Sequence, residues 1–139
     1  VPGLADAEFV RFGVIHRNTY VDAPRVLSPK LELVAKPGVY LAGQITGVEG
    51  YVESAAMGIL AGLFSTGLGS SPPRETALGS LLSHLQDQTP REFAPMNINF
   101  GLLPSMTLHA RATKAERQQR MCERALNALT EATVQWKSA

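Results

Sequence analysis

The chain has 139 residues, of which 45% are hydrophobic and 18% charged, and its formal net charge is +1. This composition is typical of a globular domain and excludes a disordered or fibrous chain. The charge gives no long-range attraction to nucleic acid, no apolar run is long enough to span a membrane, and no signal peptide is recognisable.

The single cysteine, Cys122, excludes an internal disulfide and a multi-cysteine metal site. Because it fits a reducing compartment, we expect a cytoplasmic location, no membrane partner and no bound metal. On a helix next to Met121, Cys122 is expected to be a small, partly buried residue rather than a nucleophile.

The chain begins Val-Pro-Gly rather than with Met, and residues 4–13 are typical of a short helix that ends at Gly13. We therefore expect the C-terminal part of a longer polypeptide. Methionine removal, a propeptide or trimming are the alternatives.

The next segments predict a small amount of sheet followed by a helix. Residues 16–21 favour an extended conformation, and residues 31–34 alternate as a strand does. A Lys-Pro-Gly turn leads into a second strand at 39–42, so we expect these two strands to pair or to lie side by side. A helix is predicted from Tyr51 to Phe64.

Residues 65–73, STGLGSSPP, form a turn-rich break, at which we divide the chain into residues 1–69 and residues 70–139. A helix is predicted over 74–86, followed by loops and irregular structure up to Pro104. The last helix, 114–136, carries an apolar stripe that we expect to be buried. Its members are Met121, Ala125, Leu129, Ala132 and Trp136. The class is α/β, with too few strands for an independent α/β domain.

A loop with Gly43, Gly47 and Gly50 connects the second predicted strand to the helix. Its spacing is not the GxGxxG dinucleotide fingerprint, and no acidic residue follows about twenty positions later. A tight strand-to-helix turn is one interpretation. The other is a ligand site, because backbone N–H groups at a helix N-terminus attract electron-rich groups. We favour the ligand site for Gly50 and Tyr51.

Small residues on the same helix predict close packing against a sheet or a flat ring. They are Ala55, Ala56, Gly58, Ala61 and Gly62.

Other polar residues are weaker candidates. His16, Arg17 and Asn18 stand in a row with Thr19, and an imidazole there can stack, donate a proton or relay one. A surface histidine and a solvated arginine are the alternatives. Glu49 and Glu53 are expected to cap the helix start.

His84 and His109 lack a partner at metal-ligand spacing, and we interpret both as ordinary.

The last helix carries a basic face formed by Arg117, Arg120 and Arg124, with Arg111 upstream. Such a face can contact an RNA backbone. We favour a solvated face instead, in which Arg120 pairs locally with Glu116 and Glu123.

Four motifs together resemble one family. They are P-G-L-x-x-A-x-F-x-R-x-G-x-x-H-R-N-T at residues 2–19, G-Q-I-T-G-V-E-G-Y-V-E-S-A-A-M-G at 43–58, P-P-x-E-T-A-L-G-x-L at 72–81, and F-x-P-M-N-I-N-F-G-L-L-P at 93–104. The set is similar to the folate- and FAD-dependent tRNA (uracil-5-)-methyltransferases, which make ribothymidine in the T-loop. The glycine-loop motif is shared with related FAD-dependent enzymes that modify the wobble uridine.

The resemblance implies the C-terminal portion of a glutathione-reductase-like FAD-binding domain with a helical C-terminal tail. Residues 1–69 would face flavin and folate, and residues 70–139 would extend the same domain. Methylenetetrahydrofolate would supply the carbon, NADPH or NADH would reduce the flavin, and tRNA would be the substrate.

The resemblance also assigns contacts to particular residues. The FAD contacts would be Gly43, Gln44, Ile45, Thr46, Gly47, Gly50 and Tyr51. His16 would stack on the folate pterin, with Arg17 and Asn18 beside it.

No residue of this chain is assigned a catalytic role, because the cysteine implicated in the family lies in a part not matched here. The pyrophosphate-binding GxGxxG turn is also absent, so we expect the chain to be inactive without the missing N-terminal part of the FAD domain. A wobble-uridine enzyme and a non-catalytic RNA-binding fragment are the alternative functions.

Overall fold

The computed structural model describes residue 8 and residues 18–89, 92–107 and 112–138, and for 135–138 it describes the backbone alone. The predicted helix at 4–13 therefore lies outside the described residues, apart from the exposed Glu8. Four α-helices and one 3₁₀ turn make up the regular structure of the described part. They are α1 (Ala23–Val26), the 3₁₀ turn (Gly43–Thr46), α2 (Tyr51–Ser65), α3 (Ala77–His84) and α4 (Lys114–Ser138).

The two predicted strands pair, but they do not form a sheet. Glu32 and Tyr40 make an antiparallel bridge, flanked by hydrogen bonds of 2.8 Å from Leu33 N to Val39 O and 3.0 Å from Leu41 N to Leu31 O. Leu31 has a φ of 64°. Because a left-handed residue interrupts an extended strand, the pairing stops after one bridge. The described part of the chain is therefore mostly helical, and the α/β prediction overstated its sheet content.

The core lies under α2 and α3. The buried face of α2 contributes Met57, Leu60 and Phe64, and α3 contributes Leu81 and Leu82. The same cluster includes Leu27, Leu31, Val48 and Leu85. Burial of these side chains stabilises the fold by removing apolar surface from water.

The helix α3 is shorter than the predicted helix over 74–86. It begins after Thr76, whose hydroxyl accepts a 3.0 Å hydrogen bond from the Gly79 N–H. A threonine that caps a helix in this way has extended backbone angles, so the helix cannot include Arg74 or Glu75.

The helix α4 begins at a reciprocal cap. The Thr113 hydroxyl accepts a 3.2 Å hydrogen bond from Glu116 N, and the Glu116 carboxylate accepts a 2.7 Å bond from Thr113 N. This arrangement is a capping box, which satisfies two backbone donors at once.

The expected buried seam of α4 was correct only in part for the described side chains, and the side chain of Trp136 lies outside them. Ala132 is buried, Met121 and Ala125 are half-buried, and Leu129 is 39% exposed. Cys122 is exposed, which corrects the expectation of partial burial. Both differences arise because few elements of the described part of the chain pack against α4.

None of the helices in the described ranges has the length and apolar character needed to cross a bilayer.

The cap of α4 predicts a response to acid. Hydrogen bonds from the Thr113 backbone and hydroxyl lower the pKa of Glu116 below its ordinary value of 4.5. A lowered pKa means that the carboxylate stabilises the folded state above the ordinary value, and that this stabilisation is lost as the pH falls through the folded pKa. We expect α4 to lose helicity below pH 4.5, measured by circular dichroism at 222 nm.

Glu116→Gln should show a smaller acid-induced loss, because glutamine keeps the cap without titrating. Glu131→Gln removes a carboxylate from the same helix away from the cap and serves as the control. Equal acid transitions in the wild type and Glu116→Gln would contradict this account of the cap.

Candidate functional site

The glycine loop, Gly43–Gly50, depends on three residues with positive φ. The φ angles are 75° at Gly43, 87° at Gly47 and 100° at Gly50. Glycine adopts such angles without steric cost, whereas other residues are strained there. The chain can therefore turn from the Tyr40 bridge through the 3₁₀ turn and directly into α2.

The inner side of the glycine loop is closed by its own hydrogen bonds. The Thr46 hydroxyl donates to Gly43 O at 2.7 Å, and Gly47 N donates to Gln44 O at 3.0 Å. Thr46 and Val48 are fully buried. The Thr46 side chain therefore supports the loop from inside, and a contact between it and FAD stays a prediction.

The outer side of the glycine loop is exposed. Gln44, Ile45 and Gly50 are exposed, and Tyr51 is 97% exposed. The N-cap residue of α2, Gly50, has no side chain with which to cap the helix. Because the first N–H groups of a helix have no acceptor within the helix, the N-terminus of α2 presents donors and a positive partial charge at this surface.

The two glutamates that were expected to cap α2 differ in position, because Glu53 lies in the first turn of the helix and Glu49 lies before its start. Glu49 donates its backbone N–H to Met96 O at 3.1 Å. The Glu53 carboxylate lies beside Gly50 and fills the space that a Cβ there would need. Its position in the first turn of α2 remains favourable for a negative charge.

A second segment runs beside the glycine loop. His16 and Arg17 lie outside the described residues, whereas Asn18 is described and exposed. Three residues later, Val21 N donates to Ile45 O at 2.9 Å. The structure thus brings the end of the His-Arg-Asn-Thr motif next to the glycine loop.

A segment around Met96, whose contact with the glycine loop was not predicted from the sequence, holds that loop from the other side. Met96 N donates to Gly47 O at 2.9 Å, and Val48 and Met96 form a parallel bridge. The Phe93 ring lies against Gly47, where a Cβ would be 2.5 Å from Cε1 and 2.6 Å from Cζ. The F-x-P-M motif at residues 93–96 marked this segment in the sequence, but nothing in the motif indicated its contact with Gly47.

The small residues of α2 do not share one face. Ala55, Gly58 and Gly62 are exposed, Ala56 is half-buried and Ala61 is buried. The exposed three lie on an outer face that also carries Tyr51, Val52, Ile59 and Leu63, with no charged residue among them. This outer face of α2 can therefore approach another element or a flat ring closely.

The basic face of α4 is engaged within the chain. Arg124 donates to the carbonyls of Pro104 and Ser105. Arg120 lies 3.4 Å from Glu123, which confirms that predicted pair, whereas Glu116 bonds Thr113 rather than Arg120. Arg111 lies outside the described residues. These local contacts support the interpretation of a solvated, locally paired face.

Among the other histidines, His109 lies outside the described residues. His84 has its Nε2 3.0 Å from the Ala94 carbonyl, which accepts the bond. In the described ranges, no three His, Cys, Asp or Glu side chains gather into a group that would hold a metal ion.

Comparisons with known proteins agree with the motif set. The family model for glucose inhibited division protein A matches residues 1–68. A methylenetetrahydrofolate–tRNA-(uracil-5-)-methyltransferase TrmFO of Natranaerobius thermophilus is 51% identical over 136 residues, which cover 94% of this chain and 31% of the relative. Proteins of the same name from Syntrophotalea carbinolica and Listeria monocytogenes are 51% and 46% identical over 134 residues, covering 93% of this chain and 29% and 31% of those relatives.

These comparisons confirm the resemblance to the tRNA (uracil-5-)-methyltransferase family that the four motifs indicated. The chain is a relative of one part of proteins named TrmFO, and it spans about 30% of their length.

Alanine substitutions at two glycines, one outside the glycine loop and one within it, test the packing of the loop. Gly38 and Gly47 have φ angles of 83° and 87°, but a Cβ at Gly38 meets nothing within 4 Å, whereas one at Gly47 meets the Phe93 ring. Gly38→Ala should cost only the left-handed strain of about 1–2 kcal/mol. Gly47→Ala should cost about 1–3 kcal/mol more, because an overpacked ring must move.

Denaturant unfolding of both variants and the wild type measures the difference. Equal free energies of unfolding for Gly38→Ala and Gly47→Ala would contradict the close contact between Gly47 and Phe93.

Proposed function

We propose that this chain is the C-terminal part of a flavoenzyme that methylates uracil C5 in the tRNA T-loop. Methylenetetrahydrofolate would be the carbon donor, and NADPH or NADH the reductant. The observation that carries this proposal is 51% identity over 136 residues to a relative named for that reaction. The relatives named above match residues on both sides of the 65–73 break, because the alignments cover 93–94% of the chain.

The glycine loop fits one edge of a flavin. Gly50 and the first turn of α2 offer backbone N–H donors with a positive partial charge, and Gly50, as the N-cap residue, has no side chain to cap them. An electron-rich ring edge accepts such donors, and reduction would increase its electron density. The exposed residues Gln44, Ile45 and Tyr51 would border the ring, and the bound flavin would supply the redox chemistry.

We place the folate beside the same surface. The segment that begins at Asn18 passes the glycine loop, because Val21 bonds Ile45. His16 would stack on the pterin, while Arg17 and Asn18 would supply polar contacts. These three roles are proposals taken from the resemblance.

The outer face of α2 supports the proposal that this chain is one part of a larger FAD-binding domain of the glutathione-reductase type. Val52 and Ile59 are 80% and 68% exposed there, and exposed apolar surfaces of this kind usually mark an interface. Residues 1–69 would belong to the flavin- and folate-facing part, and residues 70–139 to its helical extension. A cytoplasmic location, expected from the single cysteine, stays a prediction.

The test uses the parent polypeptide that carries this chain, purified with FAD. Its tRNA products are mapped by mass spectrometry after incubation with methylenetetrahydrofolate and NADPH or NADH. Methylation of C5 at a T-loop uridine is expected. Modification at the wobble uridine instead would favour the related family, and salt-dependent tRNA binding without any modification would favour the RNA-binding alternative.

A matched glycine pair tests the assignment of the glycine loop. Gly50→Ala should weaken FAD binding about tenfold, because displacing an oriented N–H donor costs about 1–3 kcal/mol. Gly67→Ala is the control, since Gly67 also has a positive φ, 75°, and a Cβ there meets nothing within 4 Å, whereas a Cβ at Gly50 meets the Glu53 carboxylate. Equal FAD affinity in the two variants, measured by flavin fluorescence titration, would remove Gly50 from the flavin site.

A further inference from the structure

The Phe93 ring holds the glycine loop at its most constrained point. Gly47 is buried with a φ of 87°, and a Cβ there would approach Phe93 Cε1 and Cζ to 2.5 and 2.6 Å. Carbon atoms in ordinary contact lie about 3.5–4.0 Å apart. The ring is therefore packed directly on the Gly47 backbone, and only glycine leaves room for it.

Two other rings hold Phe93 in place. The His84 ring lies 5.3 Å from the Phe93 ring, centroid to centroid, with 34° between their planes. The Tyr20 ring lies 6.1 Å away at 67°, an edge-to-face contact. Both distances are within the range of favourable aromatic pairs. We name Tyr20, His84 and Phe93 the aromatic clamp.

His84 also ties the clamp to the backbone. Its Nε2 lies 3.0 Å from the Ala94 carbonyl. Because a carbonyl oxygen only accepts hydrogen bonds, Nε2 must carry the proton and donate. The bond joins the end of α3 to the residue that follows Phe93.

Backbone hydrogen bonds also connect this segment to the glycine loop. Met96 N donates to Gly47 O at 2.9 Å, and Glu49 N donates to Met96 O at 3.1 Å. The Phe93–Met96 segment thus holds the glycine loop by a side chain at one end and by two backbone hydrogen bonds at the other. Gly50 lies three residues after Gly47, and α2 begins at the next residue, Tyr51. The positions of both therefore depend on the Phe93–Met96 segment.

We propose that Phe93 and His84 are positioning residues for the flavin-facing edge of the glycine loop. This inference rests on the proposed function. Neither side chain needs to touch the flavin, because both act through Gly47 and the backbone that leads to Gly50. An error of about 1 Å in placing donors weakens recognition and catalysis strongly.

The experiment uses the parent flavoenzyme with FAD bound. Phe93→Leu keeps an apolar side chain but removes the ring, and His84→Ala removes the donor to Ala94. We expect each variant to shift the visible circular dichroism of the flavin and to weaken FAD binding about tenfold. We also expect a lower kcat, with less effect on the KM for tRNA.

His84→Gln is the conservative variant, because its amide N–H can reach the position of Nε2. It should restore the flavin spectrum and the FAD affinity that His84→Ala loses. Phe100→Ala is the matched control, since Phe100 is an exposed aromatic residue of the following segment. It should leave both properties unchanged.

A wild-type flavin spectrum and FAD affinity in Phe93→Leu and His84→Ala, with only a lower melting temperature, would overturn the proposal. If Phe93→Leu does not fold, the two His84 variants decide, because identical flavin spectra for alanine and glutamine would overturn it. A wild-type parent that neither binds FAD nor methylates uracil would instead refute the proposed function.

Discussion

Two backbone hydrogen bonds between Met96 and the glycine loop are the constraint on which the site depends. They join Gly47 O to Met96 N at 2.9 Å and Glu49 N to Met96 O at 3.1 Å. The partners are separated by almost fifty residues, so the contact closes a long loop at an entropic cost. Burial of Val48 and of the core side of α2 offsets that cost. This contact and the Phe93 ring hold the glycine loop on one side, while the hydrogen bond from Val21 N to Ile45 O holds it on another.

The two faces of the helix α2 have different surroundings. Its inner face, with Met57, Leu60 and Phe64, belongs to the core of this chain. Its outer face has no charged residue and leaves Tyr51 and Ile59 exposed. A helix that is apolar on nearly all sides is normally buried on all sides. The division is consistent with a chain that provides one layer of a larger domain and one wall of its ligand site.

Sequence patterns predicted the local features well and the long-range contacts poorly. The start of α2 followed from Gly50 and the small residues after it, and α4 begins at the predicted Lys114. The strands were overestimated, because nothing in the pattern at 31–34 indicates the positive φ of Leu31. The clamp on Gly47 was missed, because the contact between Phe93 and Gly47 joins residues far apart in the chain. His84 was interpreted as ordinary for the same reason, since its partner Ala94 and its tilted ring contact with Phe93 depend on how the 92–96 segment folds back.

Hydrogen exchange of the parent polypeptide with and without FAD tests the central claim most directly. The claim is that the glycine loop and the first turn of α2 form an edge of the flavin site, held from behind by Met96. FAD should slow the exchange of the N–H groups from Gly43 to Glu53 and leave the exposed turn at 34–38 unchanged. Unchanged exchange from Gly43 to Glu53, together with protection elsewhere in a protein that binds FAD, would contradict the account.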